Sequence, residues 1–126
     1  MEDVKVDETK DIKSTYKPLY KFMIAGVQHH RIKDVINELE EGKVLILRSE
    51  PSNKFDPNAI RIEYVTMDGQ ETMLGYVPKK VSAEVSAKIT VGRNLKCVLI
   101  KLNKTAKPWE MAEVEIREVK GGDPDV

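Results

Sequence analysis

Cysteine and histidine are scarce in this sequence: Cys97, His29 and His30 are the only ones among 126 residues. A disulfide framework needs paired cysteines, and a structural zinc site needs three or four ligands at characteristic spacing. The composition therefore excludes an intrachain disulfide and predicts no metal and no cofactor. Cys97 lies in an apolar run and is expected to be a core residue in a reducing compartment, so we expect the cytoplasm as location.

Long apolar runs and net charge are lacking as well. No stretch approaches the roughly 20 apolar residues of a transmembrane helix, and the N-terminus has no apolar signal region, so no membrane association is predicted. The formal net charge is zero, which argues against a partner held by a broad basic field. Residues 18–119 carry 16 basic against 14 acidic residues, which leaves room for local phosphate contacts. Nothing in the sequence indicates an oligomeric state.

The motifs of common enzymes are also missing. The sequence has no Ser-His-Asp order, no phosphate-binding P-loop and no GxGxxG segment, so we expect a protein that is not an enzyme. His29 and His30 are expected to follow a strand and to point to opposite sides, which disfavours a shared metal ion. A metal-dependent nuclease using His29, His30 and Asp56 is the alternative that this reasoning disfavours.

Hydrophobic periodicity predicts a mainly β fold with two helices. We expect a polar extension over residues 1–17, a folded domain over 18–119 and a tail over 120–126. The predicted order is β-α-β-β-β-α-β-β, with strands at 20–27, 43–48, 59–66, 72–77, 94–102 and 109–119 and helices at 31–41 and 78–89. Because short strands joined by hairpins dominate, we expect a closed or partly closed antiparallel barrel.

The connection between the second and third strands, residues 48–58, is the most distinctive segment. Loops of that length inside a compact domain are usually functional. The loop offers a carboxylate, Asp56, beside an aromatic ring, Phe55, which is the chemistry of a recognition loop. The alternative is that Asn53, Asp56 and Asn58 only close turns onto their own backbone. Arg48 and Glu50 are expected to pair with each other or to brace the loop.

Aromatic side chains stand at several predicted strand ends and loops. Nucleic-acid bases stack on such rings, worth roughly 1–3 kcal/mol per base. The alternative for each ring alone is core filling. The rings concerned are His29 or His30, Phe55 and Tyr76.

Lys79 and Lys80 are predicted to lie in the first turn of the second helix. Their ammonium groups, together with the free N–H groups of that helix end, could hold a phosphate. The alternative is an ordinary solvated helix face. Only convergence of these lysines with the aromatic rings in one pocket would favour binding.

Three segments in this order resemble the HIRAN domain family: GVQHH, then LRSEPSNKFDPNAI, then LGYVPKK. The resemblance covers Tyr20 to Val119, and its central motif is specific. It implies an OB-like, partly closed antiparallel β-barrel that binds the 3′ end of single-stranded DNA, as in fork-remodelling helicases that carry such a domain.

The resemblance also implies roles for individual residues. Asp56 would accept a hydrogen bond from the terminal 3′-hydroxyl, and Phe55 and Tyr76 would lie against the terminal bases or sugar. An ionised carboxylate accepts but does not donate, so it would also repel a 3′-phosphate. The remaining DNA-contact residues implied are Gln28, which stands where a characterised member has a cation, His29 and His30 in place of paired tyrosines, and Lys79 and Lys80 near backbone phosphate.

Two functional hypotheses follow. The first is a module that recognises single-stranded DNA 3′ ends in DNA repair or replication-fork processing, with a helicase or nuclease as partner. The second is a protein-interaction or adaptor domain of the same fold that has lost DNA binding, for which Gln28 and the zero net charge speak. If histidine protonation helps binding, affinity should rise between about pH 7.5 and about pH 6.

Overall fold

The structure is a computed structural model that describes residues 16–120. It contains six strands and two helices, in the predicted order β-α-β-β-β-α-β-β. The strands are β1 Tyr16–Met23, β2 Val44–Ser49, β3 Ile60–Val65, β4 Glu71–Tyr76, β5 Leu95–Leu102 and β6 Ala112–Val119. The helices are α1 Ile32–Val35 and α2 Lys79–Thr90, and 3-10 turns lie at Val27–His29 and Pro108–Glu110.

The first strand lies earlier in the chain than predicted. β1 begins at Tyr16 and ends at Met23, so the predicted strand over 20–27 was wrong at both ends. Proline is tolerated at Pro18 because β1 is an edge strand that pairs only with β6, and the register shifts between Pro18 and Tyr20. The domain boundaries stay a prediction, because most of both predicted extensions lies outside the described residues.

The first helix is much shorter than the predicted span 31–41. After α1 the chain continues in tighter turns, with the Glu38 N–H donating to Val35 O at 2.8 Å. The Glu38 side chain accepts hydrogen bonds from Tyr64 Oη at 3.1 Å and from the Met67 N–H at 3.0 Å. These tertiary bonds hold the segment against the β3–β4 hairpin, while the apolar stripe stays buried at Ile32, Val35 and Leu39. The predicted periodicity therefore located a buried face correctly and overestimated the length of the helix.

The second helix is confirmed to within one residue. Pro78 precedes α2 in an extended conformation at φ −57° and ψ 142°, which suits proline. The chain then leaves the helix through Gly92, whose φ of +86° lies in the left-handed region. The helix begins three residues after β4 ends at Tyr76, so its first residue, Lys79, lies close to that strand end.

The strands form one antiparallel sheet in the order β1-β6-β5-β2-β3-β4. Its two ends meet just beyond β1, where Ala25 pairs with Tyr76 at the end of β4. The Ala25 N–H donates to Tyr76 O at 2.9 Å, and the Tyr76 N–H donates to Ala25 O at 2.8 Å. The sheet is thus the predicted partly closed OB-like barrel, and its interior holds Ile24, Ile60, Ile62, Leu74, Leu99 and Ile116.

Gly75 makes this closure possible. A Cβ atom at position 75 would stand 2.4 Å from Ala25 O and 2.6 Å from Ile24 Cγ2, closer than non-bonded atoms approach. Gly26, next to Ala25, has a different role: it turns the chain into the 3-10 turn with φ +71°. None of the helices within residues 16–120 is long and apolar enough to cross a membrane.

Gly75→Ala should therefore open the barrel at its seam. We expect the free energy of unfolding to fall by about 1–3 kcal/mol, the range of overpacked core sites, as measured by urea denaturation. Thr72→Val on the same strand is the control, because a side chain of that size already fits there. Equal stability of the two variants would contradict the seam as described.

Candidate nucleic-acid interface

The β2–β3 loop, residues 50–59, is organised by Asn53. Its Oδ1 accepts hydrogen bonds from the Phe55 N–H at 2.8 Å and the Asp56 N–H at 3.0 Å. Asn58 adds a second turn, its N–H donating to Asp56 Oδ1 at 2.9 Å. The loop-shaping role expected of these asparagines is therefore observed, and it fixes the backbone on both sides of Asp56.

The Asp56 carboxylate also ties the loop to α2. Its Oδ2 accepts a hydrogen bond from Ser82 Oγ at 2.7 Å, and Ser82 is only 1% exposed. An ionised carboxylate offers about four acceptor positions, so the two internal bonds leave room for an external donor. Ser82 was missed by sequence reasoning, although its position on the apolar side of α2, three residues before the buried Val85, signalled a buried hydroxyl with a structural partner.

A cleft of about 290 Å³ lies beside the barrel seam. Of the residues predicted to bind DNA, it brings together four: Phe55, Asp56, Tyr76 and Lys79. The rest of the lining consists of Ala25, Gly26, Asn53, Ala59 and Val77. Phe55 is 81% exposed, so its ring is available for stacking rather than buried in the core.

The two histidines lie next to this cleft rather than in it. The His30 ring meets the Tyr76 ring edge to face, with centroids 5.8 Å apart. His29 and His30 both line a second, polar cleft of about 570 Å³. The two histidines do not stand at the end of a strand as expected, because this segment is a 3-10 turn that ends at His29.

Of the two remaining candidates, Lys80 stands apart from the seam cleft. Lys80 is exposed in the first turn of α2, and the lining of the seam cleft includes Lys79 without it. Gln28 lies in the 3-10 turn, and its side chain is outside the described part of the structure. Within residues 16–120 no three His, Cys, Asp or Glu side chains are grouped as metal ligands would be.

The HIRAN domain model matches residues 19–99 of the sequence. The chain belongs to the HIRAN domain family. Its fold is similar to that of a protein from Lactobacillus plantarum, with a TM-score of 0.69 and 19% identity over 84% of this chain and 97% of that one. It is also similar to the HIRAN domain of human HLTF, with a TM-score of 0.62 and 13% identity over 83% of this chain and 79% of that one. No curated protein matches the sequence.

A chain of ion pairs links β2, β3 and β4 of this HIRAN domain. Arg48 does not pair with Glu50 as one reading of the sequence suggested; its Nε donates to Glu63 Oε1 at 3.0 Å, and its other end faces Glu71 at 3.4 Å. Arg61 Nε lies 2.9 Å from Oε2 of the same buried Glu63, but the two groups are misaligned for a hydrogen bond. Arg61 Nη1 lies 3.6 Å from Glu50 Oε2. Glu50 accepts a hydrogen bond from Asn53 Nδ2 at 2.9 Å and so braces the loop, which was the other interpretation.

Trp109 is a prominent exposed ring that sequence reasoning missed. It is 53% exposed in the 3-10 turn Pro108–Glu110, and Lys107 Nζ lies 5.6 Å from its ring centre. That turn packs against the 3-10 turn that carries His29, and a small cleft joins His30 to Pro108. The available signal was the sequence KPW, which places a lone tryptophan two residues after a lysine. Sequence reasoning instead took Trp109 as the first residue of the strand over 109–119, which was wrong at its start because the strand begins at Ala112.

The pKa of His30 lies below its usual range, chiefly because the ring is partly buried and also because His29 and Arg61 are near. A lowered pKa means that folding favours the neutral ring. His30 thus contributes stability that is complete above the ordinary imidazole range and is lost as the pH falls through the folded value. If protonation of His30 helps DNA binding, the gain in affinity should therefore occur at a lower pH than the sequence alone predicts.

An NMR titration of the imidazole protons should place the midpoint of His30 below that of the unfolded chain in urea. Replacement of His30 by glutamine should flatten the loss of unfolding free energy at mildly acid pH, measured by urea denaturation. A midpoint at or above the unfolded value would contradict the lowered pKa.

Proposed function

We propose that this protein is a non-enzymatic module that binds the 3′-hydroxyl end of single-stranded DNA. The observation that carries the proposal is the seam cleft, which gathers an exposed ring, a carboxylate, a tyrosine and a lysine at one end of the barrel. We further propose that it serves in DNA repair or replication-fork processing, with a helicase or nuclease as partner.

Each group in the cleft suits one part of a strand terminus. Asp56 accepts a hydrogen bond from the terminal hydroxyl and disfavours a terminal phosphate, because like charges in a confined site repel. Phe55 and Tyr76 offer stacking surface to the terminal nucleotide. Lys79, beside the free N–H groups at the start of α2, faces the preceding phosphate. In this arrangement Lys80 and His29 act from outside the cleft, on the phosphate backbone further along.

The strand leaving the cleft would run past His30 toward Trp109. His30 touches Tyr76 on one side and borders the cleft that reaches Pro108 on the other. Arg31 and Lys33 line that same cleft and supply positive charge for the backbone. Trp109, with Lys107 at its side, then forms a second stacking surface for upstream bases.

A second candidate function, a protein-interaction module of the same fold, is favoured by two observations. The net charge is zero, and both oxygens of Asp56 already accept internal hydrogen bonds. DNA binding is the better supported of the two, because an adaptor role gives no reason for an exposed ring, a carboxylate and a lysine to share one cleft.

Discrimination between DNA ends tests the first proposal. A short oligonucleotide with a 3′-hydroxyl should bind at least about tenfold more tightly than its 3′-phosphate twin, as like-charge repulsion costs more than about 1.4 kcal/mol. Fluorescence anisotropy with a 5′ label measures both.

Asp56→Asn should reduce the difference in affinity between the 3′-hydroxyl and 3′-phosphate oligonucleotides, because it removes the charge while keeping an acceptor oxygen. Asp68→Asn, in the β3–β4 turn, is the matched control and should leave the difference unchanged. Equal binding of both oligonucleotides by the wild-type protein would remove Asp56 from the proposed role, and absence of binding would favour the protein-interaction module.

Trp109→Ala tests the path of the strand. Loss of one stacking surface, worth roughly 1–3 kcal/mol, should weaken binding of an eight-nucleotide strand while leaving a dinucleotide with a 3′-hydroxyl unaffected in competition titrations. Val91→Ala, which trims another exposed apolar side chain at the far end of α2, is the control. An equal loss for both lengths would place Trp109 at the terminus instead.

A further inference from the structure

A single carboxylate oxygen joins the two walls of the seam cleft. Glu50 Oε1 accepts a hydrogen bond from Tyr76 Oη at 2.7 Å and another from Asn53 Nδ2 at 2.9 Å. Tyr76 belongs to β4 and forms the strand wall, whereas Asn53 belongs to the loop wall. Glu50 is not among the residues that line the cleft, so any influence on a ligand passes through these two partners.

Asn53 transmits the effect of its hydrogen bond to Glu50 to Phe55 and Asp56, the residues proposed to contact the terminal nucleotide. Its Oδ1 accepts from the N–H groups of both Phe55 and Asp56, and its Nδ2 also lies 3.4 Å from Tyr76 Oη. The amide cannot turn over without losing both accepted bonds, since an NH₂ group donates only. Glu50 Oε1 holds the amide from behind at 2.9 Å, closer than Tyr76 Oη at 3.4 Å, and so helps to set the position of the loop tip together with the Ser82 hydrogen bond to Asp56.

The charge of Glu50 is part of this arrangement. Hydrogen bonds from Asn53 and then Tyr76 hold the pKa of Glu50 below its usual range, burial opposes them, and Arg61 and His30 add to the lowering. Its second oxygen lies 3.6 Å from the Arg61 guanidinium. Hydrogen bonds to an ionised acceptor are roughly twice as strong as neutral ones, so Asn53 and Tyr76 are held by charged rather than neutral bonds.

We propose that Glu50 is a positioning residue of the 3′-end site, whose negative charge sets the spacing between the Tyr76 wall and the Phe55–Asp56 tip. This inference rests on the proposed DNA-end binding. It predicts that removing the charge alone, with the shape retained, loosens the tip and weakens capture of a 3′-hydroxyl end.

Glu50→Gln is the test, and Glu118→Gln is its matched control. The side chains of Glu50 and Glu118 are similarly exposed, at 24% and 22%, and each faces an arginine. Glu118 lies on β6 and pairs with Arg93, away from the cleft lining. Both variants lose one negative charge. An effect that both show is therefore due to the change in net charge, and an effect that only Glu50→Gln shows is due to the position of Glu50.

Two measurements without DNA come first. Amide hydrogen exchange at Phe55 and Asp56 should accelerate several-fold in Glu50→Gln and remain at the wild-type rate in Glu118→Gln. The hydrogen bond to Glu50, followed by burial, raises the pKa of Tyr76, so the phenol should titrate at lower pH in Glu50→Gln. Unchanged exchange at both amides would overturn the inference.

Binding is measured next, by anisotropy with the 3′-hydroxyl oligonucleotide. Glu50→Gln should bind about tenfold more weakly, corresponding to roughly 1.4 kcal/mol, while Glu118→Gln should match the wild type. Wild-type affinity in Glu50→Gln, despite faster exchange, would overturn the positioning role and leave the proposed function intact. Failure of the wild-type protein to bind the oligonucleotide would instead overturn the proposed function, and with it a role in DNA capture.

Discussion

Two backbone hydrogen bonds between Ala25 and Tyr76 are the contact on which the arrangement of this molecule depends. They join the two ends of a six-stranded sheet that is otherwise open, and they do so at a point where Gly75 leaves no room for a side chain. The same contact brings the ring of His30, which directly follows the 3-10 turn, against the ring of Tyr76. Barrel closure and the geometry of the candidate site are therefore consequences of one local approach of two backbones.

The loop beside that seam is held by polar bonds rather than by apolar packing. Phe55 points into solvent, and the backbone around it is fixed by Asn53, Asp56 and Ser82. A loop stabilised in this way can present an aromatic ring outward at low entropic cost on binding, because its conformation is already restricted. Such preorganisation suits the proposed binding of a flexible strand end, because the surface of this protein has no strong electrostatic field to attract DNA.

The order of elements and the second helix could be predicted because each rests on local signals. Periodicity located the buried faces, and Pro78 and Gly92 marked the ends of α2. Prediction failed where tertiary contacts outweighed local preference. Hydrogen bonds that the Glu38 carboxylate accepts from Tyr64 and Met67 accompany the loss of helix beyond Val35. Pairing with β6 draws residues from Tyr16 onward into β1. Neither partner is near in sequence, so no local pattern could reveal them.

By itself, the sequence determined the mainly β class, the family and the residue types that a strand end would need, because these follow from composition, periodicity and a specific motif. Only the tertiary structure decided which of those residues meet. It brought Phe55, Asp56, Tyr76 and Lys79 into one cleft, left Lys80 outside its lining, and assigned Ser82 and Glu50 as supports behind it. The physical reason is that the cleft forms from three separate segments, and only closure of the barrel brings them together.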